Sequence, residues 1–126
     1  MIYLIDTHVL IWSLFDTDKL SVEAERVITE GDRVCVSIVS LWEIAIKQAI
    51  GKIDIESSIV DIADKCRETD IEIINISPKH LDVIKILPQN HNDPFDRLII
   101  AQAMTEKMTL ITKDNIISRY GVETLW

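Results

Sequence analysis

Short, largely apolar runs alternate along the chain with segments whose apolar residues recur every three or four positions. The runs Ile2–Asp6, Arg33–Ser37, Ile71–Ile76, Thr109–Thr112 and Val122–Leu125 are rich in Ile, Val or Leu and predict strands. They are mostly apolar rather than alternating, as expected of strands covered on both faces, and the helices between them supply the right-handed crossovers a parallel sheet needs. The pattern predicts an α/β fold with a mainly parallel sheet of about five short strands.

Capping signals refine the helices. Thr7 is placed to cap a helix after the first strand. Ser37 or Ser40 opens another, with Leu41, Ile44, Ala45 and Gln48 at helical spacing and Gly51 as a stop. In Asn92-Asp93-Pro94-Phe95-Asp96, Asp93 suits the N-cap, Pro94 the first helical position and Asp96 the third. That helix continues through Leu98, Ile99, Ile100, Ala101 and Ala103. Ser77-Pro78 opens a short helix with Leu81, Ile84 and Leu87 as its expected buried stripe.

No repeat, low-complexity tract or linker divides the sequence, and 126 residues with 48% hydrophobic content predict a single domain over 1–126. The net charge of −8 excludes a broad basic surface for gripping nucleic acid, so a polyanionic substrate must be recruited locally, by bound cations or a basic partner. Cys35 and Cys66 are too few for a disulfide framework, and His8, His80 and His91 lack zinc-ligand spacing. The apolar opening, Met1 to Phe15, lacks a basic leader and is broken by Asp6, Thr7 and His8, and no run reaches membrane-spanning length. A reduced, cytoplasmic setting is the expectation.

Position selects among the 21 carboxylates. Asp6 ends the first apolar run and Asp114 follows Thr109–Thr112, so both fall beyond the carboxyl ends of predicted parallel strands, where open α/β sheets bind ligands. Glu43 sits among Leu41, Ile44 and Ala45 near the buried edge of its helix. Asp96 precedes Ile99 and Ile100 by one turn. Carboxylates sharing one crevice repel, and Mg²⁺ or Mn²⁺ relieves that repulsion with hard oxygen ligands. Such an ion activates water and stabilises charge during phosphodiester displacement.

Each residue also has a plain structural role: Asp6 as a cap, Glu43 as the surface partner of Lys47, Asp96 as a first-turn acid, Asp114 as a turn residue. Their joint occurrence at comparable points of strand-helix units carries the case. His8 and His91 are expected in capping or packing, and Trp12, Trp42 and Trp126 in packing or interfaces. Arg97 is equally suited to a substrate phosphate or to Asp93 or Asp96.

The stretches Leu4-Ile5-Asp6-Thr7-His8, Ser40 to Lys47, His91 to Ala103 and Leu110-Ile111-Thr112-Lys113-Asp114 together resemble PIN-domain proteins. The closing Tyr120-Gly121-Val122 and Leu125-Trp126 are similar to the branch of VapC-like toxins. The resemblance implies a PIN-like three-layer fold and a metal-dependent endoribonuclease whose Asp6, Glu43, Asp96 and Asp114 bind Mg²⁺ or Mn²⁺. It further implies Thr112 in support, an RNA substrate, a cognate antitoxin protein that blocks the site, and a homodimer; Thr7 and Asp93 are further supporting candidates. Many relatives carry another acid or an aromatic just after the position of Asp114; here Asn115-Ile116-Ile117 follows, which leaves one bound ion or two open. An aspartyl-nucleophile phosphatase would want an acid where His8 stands. A non-catalytic PIN-like interaction module is the rival from another class.

Overall fold

The computed structural model describes residues 1–31 and 33–126. Five strands, β1 (Ile2–Ile5), β2 (Arg33–Ser37), β3 (Ile71–Ile74), β4 (Thr109–Ile111) and β5 (Thr124–Leu125), form one sheet in the order β3-β2-β1-β4-β5. Every neighbouring pair is parallel. Among the described residues seven α-helices join them: α1 (Thr7–Phe15), α2 (Val22–Glu30), α3 (Ile38–Ala49), α4 (Ile59–Glu68), α5 (Pro78–Ile86), α6 (Pro94–Glu106) and α7 (Asn115–Ser118).

Register sorts the strand side chains onto two faces. Leu4, Cys35 and Leu110 stand side by side on β1, β2 and β4 and pack under α5, α6 and α7. Their neighbours Ile5, Val36 and Ile111 point the other way, into a second core with α1, α2, α3 and α4. The sheet is thus the middle of three layers, which is why its strands read as continuous apolar runs.

The strands are shorter than those runs. β1 stops at Ile5 because Asp6 accepts the Val9 N–H at 2.9 Å and caps α1; Asp6, not Thr7, is the N-cap. Ser37, the earlier of the two candidate serines, caps α3 through the Val39 N–H at 3.0 Å. Only Thr124 and Leu125 of the last run pair with β4, and Val122 is drawn into the core instead. Ile76 lies beyond β3 and is exposed.

On α5 the expected stripe shifts. Leu81 is exposed, and His80 takes the inward place with Ile84 and Leu87. The His80 ring accepts the Ser77 N–H at 3.0 Å and meets Glu106 at 3.0 Å, so an imidazole with both nitrogens partnered is buried where an apolar residue was expected. No helix among the described residues is long and apolar enough to cross a membrane.

α6 begins as predicted: Asp93 accepts the Phe95 and Asp96 N–H groups at 2.9 and 3.1 Å, with Pro94 next. It ends on Lys107 with φ 55°, a left-handed conformation that suits glycine. Lys107→Gly is expected to stabilise the protein by about 0.5–1 kcal/mol, after the greater flexibility of unfolded glycine is subtracted. Urea unfolding with an unchanged slope checks this.

The topology fixes where chemistry belongs. From β1 the chain builds outward through β2 and β3, then crosses to β4 and builds outward through β5 on the other side. The connections therefore diverge between β1 and β4, leaving a crevice at their carboxyl ends.

Candidate active site

Asp6 follows β1 and Asp114 follows β4, so the two carboxylates flank that crevice. Asp6 is buried, and its backbone N–H donates to the Ile111 carbonyl at 3.2 Å, which stitches it to β4. Burial raises its carboxyl above the ordinary value, against hydrogen bonds from the Thr112 hydroxyl and the Val9 amide that favour the anion; nearby Glu43 adds to the rise. Thr112 also accepts the Asp114 N–H at 3.0 Å, so one buried hydroxyl serves both acids. Asp114 itself is exposed and caps α7 through the Ile116 N–H at 2.9 Å.

Glu43 and Asp96 enter from two helices. α3 packs against both α1 and α6, which sets Glu43 between the helices carrying Asp6 and Asp96. Only 3% of Glu43 is exposed, so its pairing with Lys47 at 2.6 Å is not the surface ion pair that spacing alone predicts. Lys47 takes Oε2, while Oε1 is buried with no hydrogen-bond partner. Asp96 projects from the first turn of α6. Burial first, then the like charges of Asp93, Asp6 and Glu43, push its carboxyl from the ordinary 3.8 up to about 6 against an opposing hydrogen bond from His91.

Glu43 thus lies near enough to disfavour the charge of both Asp6 and Asp96, and Asp114 joins through Thr112 and through a cleft of about 260 Å³ lined by Asp6, His8, Trp12, Lys113 and Asp114. Trp12 packs against Trp126 with ring centres 5.8 Å apart, as expected of a packing group, but it also walls this cleft. Exposed His8 leans on Trp12, and the Lys113 ammonium lies 5.9 Å from the Trp12 ring centre. Trp42 meets Phe95 edge-on at 5.0 Å.

The supporting residues divide cleanly. The Thr7 hydroxyl donates to Ser40 at 3.0 Å, a buried link between α1 and α3 in which sequence reading gave Ser40 no part. Asp93 caps α6 and loads like charge beside Asp96. The Arg97 side chain pairs with neither carboxylate. Its guanidinium is buried and donates to the Pro88 carbonyl at 2.7 Å, the Leu87 carbonyl at 3.4 Å and the Tyr120 hydroxyl at 3.2 Å, which removes it as a phosphate ligand. His91, expected only in capping or packing, reaches Asp96 through Nε2 at 3.3 Å.

The donor set fits a hard divalent cation. A buried carboxylate oxygen with no partner, and an acid pushed up by burial and then by neighbouring carboxylates, both mark places where a cation would be favoured. Among the described residues no three Asp, Glu, His or Cys side chains converge into a ready-made cage. Mg²⁺ needs none, since it is held by one or two carboxylates and keeps several waters.

A three-layer parallel α/β fold with Asp6 and Asp114 just beyond the ends of β1 and β4, where the connections diverge, defines a class that binds ligands at the carboxyl ends of its strands. The chain belongs to the PIN domain family, whose model matches residues 3–123. It is 29% identical to Ribonuclease VapC22 of Mycobacterium tuberculosis over 112 residues, 88% of this chain and 85% of that protein. Its fold is shared with VapBC2 from Rickettsia felis, solved bound to a promoter DNA fragment, at TM-score 0.74 and 20% identity over 99% of this chain and 98% of that one. VapBC-1 from nontypeable Haemophilus influenzae superposes at TM-score 0.69 and 22% identity over 99% and 97% of the two chains.

Proposed function

We propose that residues 1–126 act as a single domain, a metal-dependent endoribonuclease that is the toxin of a toxin-antitoxin pair. The observation that carries this reading is a buried Asp6 at the crevice where the parallel strands end, with the buried, unpartnered Oε1 of Glu43 on a helix that packs against both α1 and α6. Membership of the PIN family and likeness to a named ribonuclease support it. An RNA substrate, a cognate antitoxin rich in Arg or Lys, a homodimer and a cytoplasmic setting complete the proposal. Solved relatives are toxin-antitoxin complexes, and both cysteines here are buried free thiols.

Asp6, Glu43, Asp96 and Asp114 would hold Mg²⁺ or Mn²⁺, and the bound ion supplies positive charge to activate water and stabilise the phosphodiester transition state. Asp6 and Asp96 are the primary ligands in this scheme. Glu43 offers its unpartnered Oε1, Thr112 orients Asp6 while anchoring the Asp114 backbone, and Thr7 keeps α1 seated on α3. Asp93 concentrates negative charge that favours the cation.

Lys113 stands at the cleft mouth of an otherwise acidic protein and is placed to take a substrate phosphate. Lys113→Ala should raise KM for RNA about tenfold, the loss of about one charge-assisted hydrogen bond, with kcat nearly unchanged. An unaltered KM removes Lys113 from substrate recruitment.

The reading is tested by offering end-labelled RNA to the purified protein with Mn²⁺, Mg²⁺ or chelator. Cutting that needs metal and disappears in Asp96→Asn supports it; no cutting, or equal cutting by the variant, rejects it. Asp6 and Asp114 also cap helices, and Lys47 already partners Glu43, which favours a non-catalytic interaction module as the second reading. A wild-type protein that never cuts RNA yet binds a partner protein would decide for it.

A further inference from the structure

We propose that Tyr120 and His91 form a strut that fixes the orientation of Asp96, making both of them positioning residues for the cation. The role presupposes the metal-dependent nuclease reading; the geometry stands without it. Tyr120 follows α7, the helix that Asp114 caps, and is buried. Its hydroxyl oxygen accepts from the His91 backbone N–H at 3.2 Å and from the Arg97 guanidinium at 3.2 Å.

With both lone pairs engaged, the hydroxyl has one proton left to give. The His91 carbonyl is 3.4 Å away and the Nδ1 atom of the His91 ring is 2.5 Å away, so the ring nitrogen is the better acceptor. A neutral imidazole that accepts at Nδ1 carries its own proton at Nε2, and Nε2 faces Asp96 Oδ2 at 3.3 Å. The tautomer is therefore dictated by Tyr120, and the carboxylate of Asp96 is held through Oδ2, which leaves Oδ1 to turn toward a cation.

Arg97 anchors the far end. It is tied to the carbonyls of Leu87 and Pro88, so the loop that carries His91 cannot drift from Tyr120. The chain of contacts runs from Arg97 through Tyr120 and His91 to Asp96, and it links the α6 acid to the element that bears Asp114. Outer partners of this kind orient metal ligands, and losing one typically weakens metal binding about 10–100-fold.

Two measurements test the strut. Nitrogen-15 NMR of the metal-free protein, at a pH where the ring is neutral, should show His91 protonated at Nε2, with that preference lost in Tyr120→Phe. A dominant Nδ1–H tautomer in the wild type overturns the proposal whatever the enzyme does. Mn²⁺ binding, followed by the paramagnetic resonance signal of the free ion, should weaken about tenfold or more in Tyr120→Phe and His91→Leu. His91→Gln, whose amide can still donate to Asp96, should recover most of the affinity, every variant being compared well below its own apo melting temperature. If wild type binds Mn²⁺ and both hydroxyl-lacking and ring-lacking variants bind it equally well, the strut fails and the nuclease reading survives. If wild type binds no Mn²⁺, both fail.

Discussion

Asp6→Asn is expected to lower metal-dependent RNA cleavage by about two to three orders of magnitude while leaving the metal-free protein at least as stable as the wild type. The two effects have one cause. Asparagine caps helices about as well as aspartate, so the bond from the Val9 N–H is kept and α1 stays in place. What disappears is a buried negative charge that burial and Glu43 already disfavour. Without a cation that charge costs stability; with one it is a ligand. Cleavage of labelled RNA and a thermal melt of the same preparation check both halves, and a variant that cuts RNA normally would remove Asp6 from the site.

The second large effect is a pH-dependent stability gap at Asp96. Its folded carboxyl sits at about 6 against an ordinary 3.8, so folding disfavours the ionised form. For a carboxyl raised in this way, the stabilising contribution is complete below the unfolded value and is lost as pH climbs through the folded one. Metal-free wild type should therefore lose stability relative to Asp96→Asn between about pH 4 and pH 7, by roughly 2–3 kcal/mol for a side chain only 21% exposed. The comparison with the variant is needed because exposed Glu23 and Glu72, held down by Arg26 and Arg33, titrate with the opposite sign. Saturating Mn²⁺ should close the gap at neutral pH and do nothing at pH 4, since a protonated acid offers no ligand. Denaturant titrations at the two pH values measure it; equal wild-type and variant stability across the range contradicts it.

Much of the site is written in local pattern. Apolar runs ending in Asp6 and just before Asp114 place two acids at strand ends, and Asp93-Pro94 with Asp96 at the third position dictates how α6 starts. α2 and α4 are absent from the sequence reading although a local signal marks them, for Ser21 and Ser58 each cap through the N–H three residues on. What was not legible is long-range. The His91 to Tyr120 and Thr7 to Ser40 hydrogen bonds join residues 29 and 33 positions apart, and no period in the sequence records such pairings. Arg97 misleads for the same reason: its neighbours in sequence are acids, whereas its neighbours in space are the carbonyls of the loop before α6. The Glu43 and Lys47 pair shows a spacing rule giving the right partner and the wrong environment, because α1 and α6 close over α3 and bury the carboxylate.

A crystal grown with Mn²⁺ and measured for its anomalous scattering bears most directly on whether these acids share an ion. An anomalous peak within about 2.0–2.3 Å of carboxylate oxygens of Asp6 and Asp96, with Glu43 and Asp114 around it, is the predicted result. A fully loaded crystal with no peak in the crevice between β1 and β4, or with manganese bound only elsewhere, would contradict it.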